Sequence, residues 1–444
     1  MSQRALLSGS HLTKFSKLVI VSAIIAVTTA CQDSAESQSN TEQLTAETTK
    51  PAAVTENKAV DEQKQLTALE IAKKYIITDG HIDVPYRLEE KYEDVSHATE
   101  SGDFDYPRAV AGGLDAPFMS IYIPAKLEFE GGGSKELADK LIDGVEKIIG
   151  DSPDKYATAY SVADVEANFE KGLISLPMGM ENGSPIEGKL ENLHHFYERG
   201  IRYITLAHSL SNHISDSSYD EKRPAKGLTE FGKKLIVEMN NLGIMVDVSH
   251  ISDDAFYQVM DISKVPVIAS HSSARHFTPG FERNMSDDMI KLLAKNGGVI
   301  QINFGSTFIS KESRESYDAG KAAVEKFAKD NNFSADSEQV KAFSKKYLAE
   351  NPFKYATRDD VLDHFDHVVK IAGIDAVGIG SDYDGVGDSL PEGLKDVSTY
   401  PGLIQGLLDR GYSEQDIAKI LSGNVIRVWK QNEAYAAKKK VVNS

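Results

Sequence analysis

Eight short apolar runs, separated by helix-like stretches, dominate the chain from residue 67 onward. They occupy residues 75–83, 116–124, 173–181, 203–208, 244–250, 265–271, 299–304 and 376–382. Amphipathic segments lie between several of them, for example 229–242 and 286–295. Strands alternating with helices build βαβ units and a parallel sheet. Eight such units close the sheet on itself, so the expected fold is α/β: a (β/α)8 TIM barrel with helical loop insertions. Residues 67–70, Thr-Ala-Leu-Glu, read as a capping box opening a short helix to about residue 75. The stretch 310–355, rich in Lys, Glu and Ala, reads as extra helices on a barrel loop. The expected domain is therefore a single barrel over 66–435, followed by a basic tail at 436–444.

The runs end in polar residues of a restricted kind. Run one ends at His81 and Asp83, run three at Glu181, run four at His208. Run five ends at Asp247 and His250, run six at His271, and run eight at Asp382 and Asp384. Six of the eight thus deliver His or a carboxylate to one rim. In a parallel barrel that rim is the C-terminal face, where active sites are built. His81 and Asp83 are two residues apart on a strand and so share a face. His250 and His271 offer neutral imidazoles, which suit Zn2+. Glu181 can present one oxygen to each of two ions. Five ligands exceed one tetrahedral zinc with an open position, but they suit two ions sharing a carboxylate and a water. Cations would also relieve the crowding of carboxylates at one barrel mouth.

The first 65 residues differ in texture. Arg4, Lys14 and Lys17 precede an apolar run at 18–27 and small residues up to Cys31, with no acidic residue before it. This pattern describes a secretory signal peptide over 1–30. The run is too short for a transmembrane helix, which takes roughly 20 apolar residues. Cys31 stands where a bacterial lipoprotein carries its lipidated cysteine, although the segment Thr28-Thr29-Ala30-Cys31 has Thr where Leu is usual. The other reading is a plain cleaved signal. Residues 32–65, rich in Ser, Thr, Gln, Glu and Ala, read as a disordered tether. The expectation is an exported protein, lipid-anchored through Cys31 to a bacterial envelope membrane, with Gln32 compatible with the outer membrane.

Cys31 is the only cysteine of the 444 residues, which excludes an internal disulfide and a Cys-rich structural zinc site. The formal net charge is −18; removing the three cations of 1–30 takes it to −21. So acidic a chain is not a nucleic-acid binder, since phosphate neutralisation needs clustered Lys and Arg. The stretch from Asp382 to Asp388 superficially suggests a calcium loop, but Val386 and Gly393 fall where an EF-hand needs ligands. His194, His195, His364 and His367 lie on expected helices and read as structural or surface residues. Trp429 reads as packing a C-terminal helix on the barrel.

Taken in order, DGHIDVP at 79–85, GMENG at 179–183, TLAHS at 205–209, VDVSHIS at 246–252, SHSSA at 270–274, Arg283-Asn284 and GIGSDYDG at 378–385 make the chain recognisable. It resembles the membrane dipeptidase (renal dipeptidase-like) family of the metal-dependent amidohydrolase superfamily over roughly residues 67–430. The resemblance implies a two-zinc site: His81 and Asp83 on one ion, His250 and His271 on the other, Glu181 as bridge. It implies that His208 and Arg283 contact substrate, that Asp382 is the acid/base group, and that dipeptides, including those with a C-terminal D-residue, are hydrolysed by a metal-bridging hydroxide with Asp382 and His208 as catalytic residues. It also implies a homodimer. The segment 275–282, Phe308 and the 310–355 insertion depart from familiar members. The nearest alternative is hydrolysis of lactones, cyclic amides or β-lactams on the same site; a bridging Glu rather than a Lys favours the dipeptidase branch. A lipoprotein that binds peptide or metal without turnover is the reading of a different class.

Overall fold

The computed structural model describes residues 66–443. The export signal, Cys31 and the tether lie outside the described residues. The strands are β1 (Thr78–Ile82), β2 (Ala116–Tyr122), β3 (Tyr156–Thr158), β4 (Ile174–Leu176), β5 (Met178–Glu181), β6 (Ile201–Thr205), β7 (Met245–Asp247), β8 (Ile268–Ala269), β9 (Val299–Ile302) and β10 (Val377–Ile379). Eight of them form one parallel sheet in the order β1-β2-β5-β6-β7-β8-β9-β10. It closes beyond the strand ends. Asp382 N–H donates to the His81 carbonyl at 3.0 Å, and Asp83 N–H donates to the Tyr383 carbonyl at 2.9 Å. The chain is thus a nearly closed eight-stranded parallel barrel with helices, as expected.

One run divides. Residues 173–181 form two strands around Pro177: β4 pairs with β3 in a separate two-stranded sheet, and β5 joins the barrel. Proline has no N–H to give a ladder, so the break falls at the residue where a continuous strand would lose a bond.

Side chains alternate along the strands. Met119, Ile204, Val246, Ala269 and Ile300 join the large cluster that packs against the helices. Phe118, Tyr203, Met245, Ile268 and Val299 join a second cluster, on the opposite faces of the same strands, with Trp429. Trp429 comes from the C-terminal helix Asn424–Asn443, and its ring centroid lies 5.3 Å from that of Phe118. That helix carries the chain through 436–443, the stretch expected as a tail. The outer helices start where capping chemistry dictates. Thr229, Ser252, Ser286 and Thr357 each accept a backbone N–H of the first turn, which would otherwise lack a partner. The 310–355 insertion is helical, as Lys311–Asp330 and Glu338–Glu350, with Phe327 and Phe343 stacked at 4.1 Å. Among the described residues, no helix is long and apolar enough to cross a membrane.

Candidate metal centre

All five expected ligands meet at the C-terminal mouth of the barrel. Glu181, the last residue of β5, stands between them. Its Oε2 faces His81 Nε2 at 3.4 Å. Its Oε1 faces His250 Nε2 at 3.1 Å, His271 Nε2 at 3.3 Å and His208 Nε2 at 3.5 Å. Asp83 Oδ2 lies 3.4 Å from His81 Nε2. The Nε2 atoms of His250 and His271 stand 2.8 Å apart, aimed at one point. Three ligand clusters result, each within 4.8 Å: His81, Glu181 and His271; Glu181, His208 and His250; His81, Asp83 and Asp382.

The backbone reaches these positions at a conformational cost. His250 and Asp382 have φ of 69° and 65°, a left-handed region that non-glycine residues seldom occupy. Non-glycine residues held there cost on the order of 1–3 kcal/mol each and cluster at functional sites. Gly385 lies against both acids of the mouth: a Cβ there would be 2.2 Å from Asp83 Oδ2 and 2.4 Å from Asp382 Oδ1.

Around this centre stands a set of orienting residues; Tyr203, Ser270 and Asn303 were given no role by the sequence, whereas Asp247 and Asp384 were read only as ends of their runs. Tyr203 crosses the barrel and its hydroxyl meets His81 Nδ1 at 2.8 Å. Gly179 makes room for that ring, since a Cβ there would lie 2.0 Å from it. Ser270 Oγ meets His271 Nδ1 at 2.7 Å and donates to Asp247 Oδ2 at 2.7 Å. Asp247 Oδ1 accepts the backbone N–H groups of Ser249 and Ser270. Asp79 ties β1 to β10 by accepting from the N–H groups of His81 and Ser381 and from the Tyr400 hydroxyl. Asn303 donates to Asp382 Oδ2 at 2.7 Å. Asp384 supports the loop: Arg87 donates to it at 3.1 Å, and the backbone N–H groups of Asp384 and Asp103 each donate to the other's carboxylate.

Proton affinities follow from these surroundings. Burial, with Arg283 nearby, drives His250 and His271 well below the ordinary histidine value, so both imidazoles are neutral and free to ligate. Burial alone would raise the Glu181 carboxyl, but His81 and His208 outweigh it and hold it well below the usual range. Burial opposes charge on His81, yet Tyr203, Asp83 and Glu181 raise it well above normal. Burial and the neighbouring Asp83 push Asp382 up to about 7.

The expected substrate residues line the same mouth. Arg283 is buried; it donates to Ser272 Oγ at 2.7 Å and to the His271 carbonyl at 2.8 Å, and its Nε has no partner. His208 packs edge-on against Tyr122, and its Nδ1 is unpartnered. Of the unfamiliar residues, Phe308 lies under Arg283 and against Phe281. Arg275 forks onto Asp253 and His276 stacks on His367, so neither bonds to the centre. His194 and His195 lie on the helix Leu190–Glu198, and His364 is buried in the helix Arg358–Ala372.

A family model described as membrane dipeptidase (peptidase family M19) matches residues 65–442. The chain is 33% identical over 365 residues to a dipeptidase of Aspergillus oryzae, covering 79% of this chain and 77% of that protein. It is 32% identical over 375 residues to dipeptidase 3 of Mus musculus, covering 82% and 66%. Among solved structures, a probable dipeptidase of Pseudomonas aeruginosa superposes with a TM-score of 0.73 at 27% identity, covering 83% of this chain and 98% of that one. A metallopeptidase of Rhodobacter sphaeroides, liganded with a phosphinate mimic of the dipeptide L-Ala-D-Ala, superposes at 0.65 and 23% identity, covering 81% and 99%.

Proposed function

The chain belongs to the membrane dipeptidase family, peptidase family M19, and from that premise we propose that it hydrolyses dipeptides, including those with a C-terminal D-residue, using two zinc ions bridged by Glu181. A peptide-bond hydrolase with a metal centre is what family membership establishes. The observation that carries the finer reading is the division of Glu181, with one oxygen toward His81 and the other toward His250 and His271.

The donor set fits two borderline divalent ions. His81 Nε2 and Asp83 Oδ1 are buried without hydrogen-bond partners, and the close approach of the His250 and His271 nitrogens is what two ligands of one ion present. His81 and Asp83 would hold one ion, His250 and His271 the other, with Glu181 shared. Zinc held there would polarise a carbonyl and lower the pKa of water to near neutrality, the chemistry that amide hydrolysis needs.

The chain's own residues do the rest. Arg283 pairs with the substrate's C-terminal carboxylate, which limits the site to short peptides with a free carboxyl end. His208 donates a ring N–H to the carbonyl oxygen as negative charge develops there. Asn303 occupies Asp382 Oδ2, leaving Oδ1 to take the proton of the attacking water and pass it to the leaving nitrogen as the C–N bond breaks. The L-Ala-D-Ala mimic carried by the Rhodobacter sphaeroides metallopeptidase is in keeping with a D-residue at the second position.

The test is metal analysis of the purified protein beside a hydrolysis panel of L,L- and L,D-dipeptides and lactones. Asp382→Asn is expected to keep its metal and lose about 10²–10⁴-fold in kcat. Metal-loaded D382N with near wild-type turnover removes Asp382 as proton carrier, and a panel in which only lactones react removes the dipeptidase reading. The membrane attachment proposed through Cys31 is tested by Cys31→Ser, which is expected to move the protein from the membrane to the soluble fraction; an unchanged distribution refutes it.

A further inference from the structure

A second group of metal-type ligands lies outside the barrel mouth. His276, Asp287 and His367 bring ligand atoms within 4.8 Å of one another. They come from three separate elements: the 3-10 turn Arg275–Phe277, the first position of the helix Asp287–Lys295, and the helix Arg358–Ala372. His367 Nε2 meets Asp287 Oδ1 at 2.8 Å, and the His276 and His367 rings stack at 4.3 Å with 17° between their planes.

The turn carrying His276 is braced, and His367 is packed. Phe277 packs against His364 and His367, which fixes the turn carrying His276. Arg275 anchors that turn by its fork onto Asp253. Among the described residues no Lys or Arg pairs with Asp287, so its carboxylate is not already taken by a fixed cation. His276 is exposed and the other two are half-buried, so an ion can arrive from solvent.

We propose that His276, Asp287 and His367 form a third metal site, for Zn2+ or a similar borderline divalent cation, distinct from the centre at the barrel mouth. Two imidazoles and a carboxylate favour such ions over Mg2+ or Ca2+, which prefer all-oxygen shells. Metal–ligand distances of about 2.0–2.1 Å put ligands of a tetrahedral ion about 3.3 Å apart, so an ion would replace the hydrogen bond that now holds His367 Nε2 and Asp287 Oδ1 at 2.8 Å, with the two atoms parting by about half an ångström. Three protein ligands leave a fourth position to water. The ion would staple the loop after β8 to two barrel helices. That loop also carries Arg283, seven residues beyond His276, so the staple would brace the segment that receives the substrate carboxylate.

The experiment is equilibrium dialysis of the full protein against low-micromolar free Zn2+, followed by elemental analysis, for wild type and His276→Ala/His367→Ala. Wild type is expected to hold one more Zn2+ per chain than the double variant, and added Zn2+ is expected to raise the melting temperature of wild type only. Equal Zn2+ per chain in the two proteins overturns the proposal. Should the double variant fold poorly, Asp287→Asn and His367→Gln are read the same way. Because the readout is a difference between outer-site variants, it stands whether the mouth holds one ion or two.

Discussion

Tyr203→Phe isolates a single hydrogen bond of the centre. The Tyr203 hydroxyl is the partner of His81 Nδ1 inside the barrel, and both side chains are fully buried. Partners on the far nitrogen of a ligating histidine fix its tautomer and ring orientation, and losing one typically costs 10–100-fold in metal affinity. Y203F is therefore expected to weaken metal binding about 10–100-fold, read by competition with a chromogenic chelator, with little change in the far-ultraviolet circular dichroism. Unchanged affinity would show that ring packing alone orients His81. The same residue shows where sequence reading stops. His81, Asp83, Glu181, His250 and His271 were legible because they follow apolar runs and interrupt them with chemistry. Tyr203, Asn303 and Ser270 were not, because each sits in or beside a strand and passes for a core or turn residue. Asp79 and Asp247 carried a trace of a signal, as acids two residues before an informative His or Ser on the same strand face. Their work, holding backbone N–H groups of two neighbouring strands at once, depends on register that alternation does not reveal.

At the scale of elements, seven of the eight barrel strands fall within their runs and are shorter than them, while β6 starts two residues ahead of its run, at Ile201. The surplus at their C-terminal ends is itself the functional part. Run 265–271 yields only Ile268–Ala269 as strand, and Ser270 and His271 lie beyond it. Run 376–382 yields Val377–Ile379, and Ser381 and Asp382 turn into the mouth. Apolar content therefore located the strands, while their ends were set by where backbone pairing gives way to the side-chain hydrogen bonds of Asp79 and Asp247. The run at 173–181 misled for a different reason. Hydrophobicity continues across Pro177, but strand pairing cannot, and the two halves serve different sheets. One helix was legible through its capping box at Thr67 and those at 229–242 and 286–295 through their amphipathic pattern; Thr229 and Ser286 also accept a first-turn N–H. The packing of the insertion, with Arg314 over the Phe281 ring, was not legible, because no periodicity within a segment states what it covers.

At the scale of the whole molecule, closure of the barrel and assembly of the centre are the same event. β10 meets β1 through Asp382 N–H on the His81 carbonyl and Asp83 N–H on the Tyr383 carbonyl, so the last seam of the sheet is built from the proposed ligands and their neighbours. Three carboxylates, Asp83, Glu181 and Asp382, face that seam, and like charges at such range repel unless cations or protons intervene. Bound ions would therefore stabilise the fold as a ligand does, by RT ln(1 + [L]/Kd); the two proposed sites, filled at about 100 Kd, together contribute about 5 kcal/mol. For a domain of this size that corresponds to a shift of about 7 °C in melting temperature. Chelation is accordingly expected to lower the melting temperature by about that amount, with Zn2+ restoring it and Mg2+ failing to, since imidazole ligands suit the former. Hydrogen exchange is expected to accelerate first at the amides of 82–83 and 381–383, where β10 closes on β1, and last in β6 and β7, which are paired on both sides. A chelated protein that melts unchanged, or that opens first elsewhere, would mean that the seam holds without its ions and that the carboxylates are kept together by protons instead.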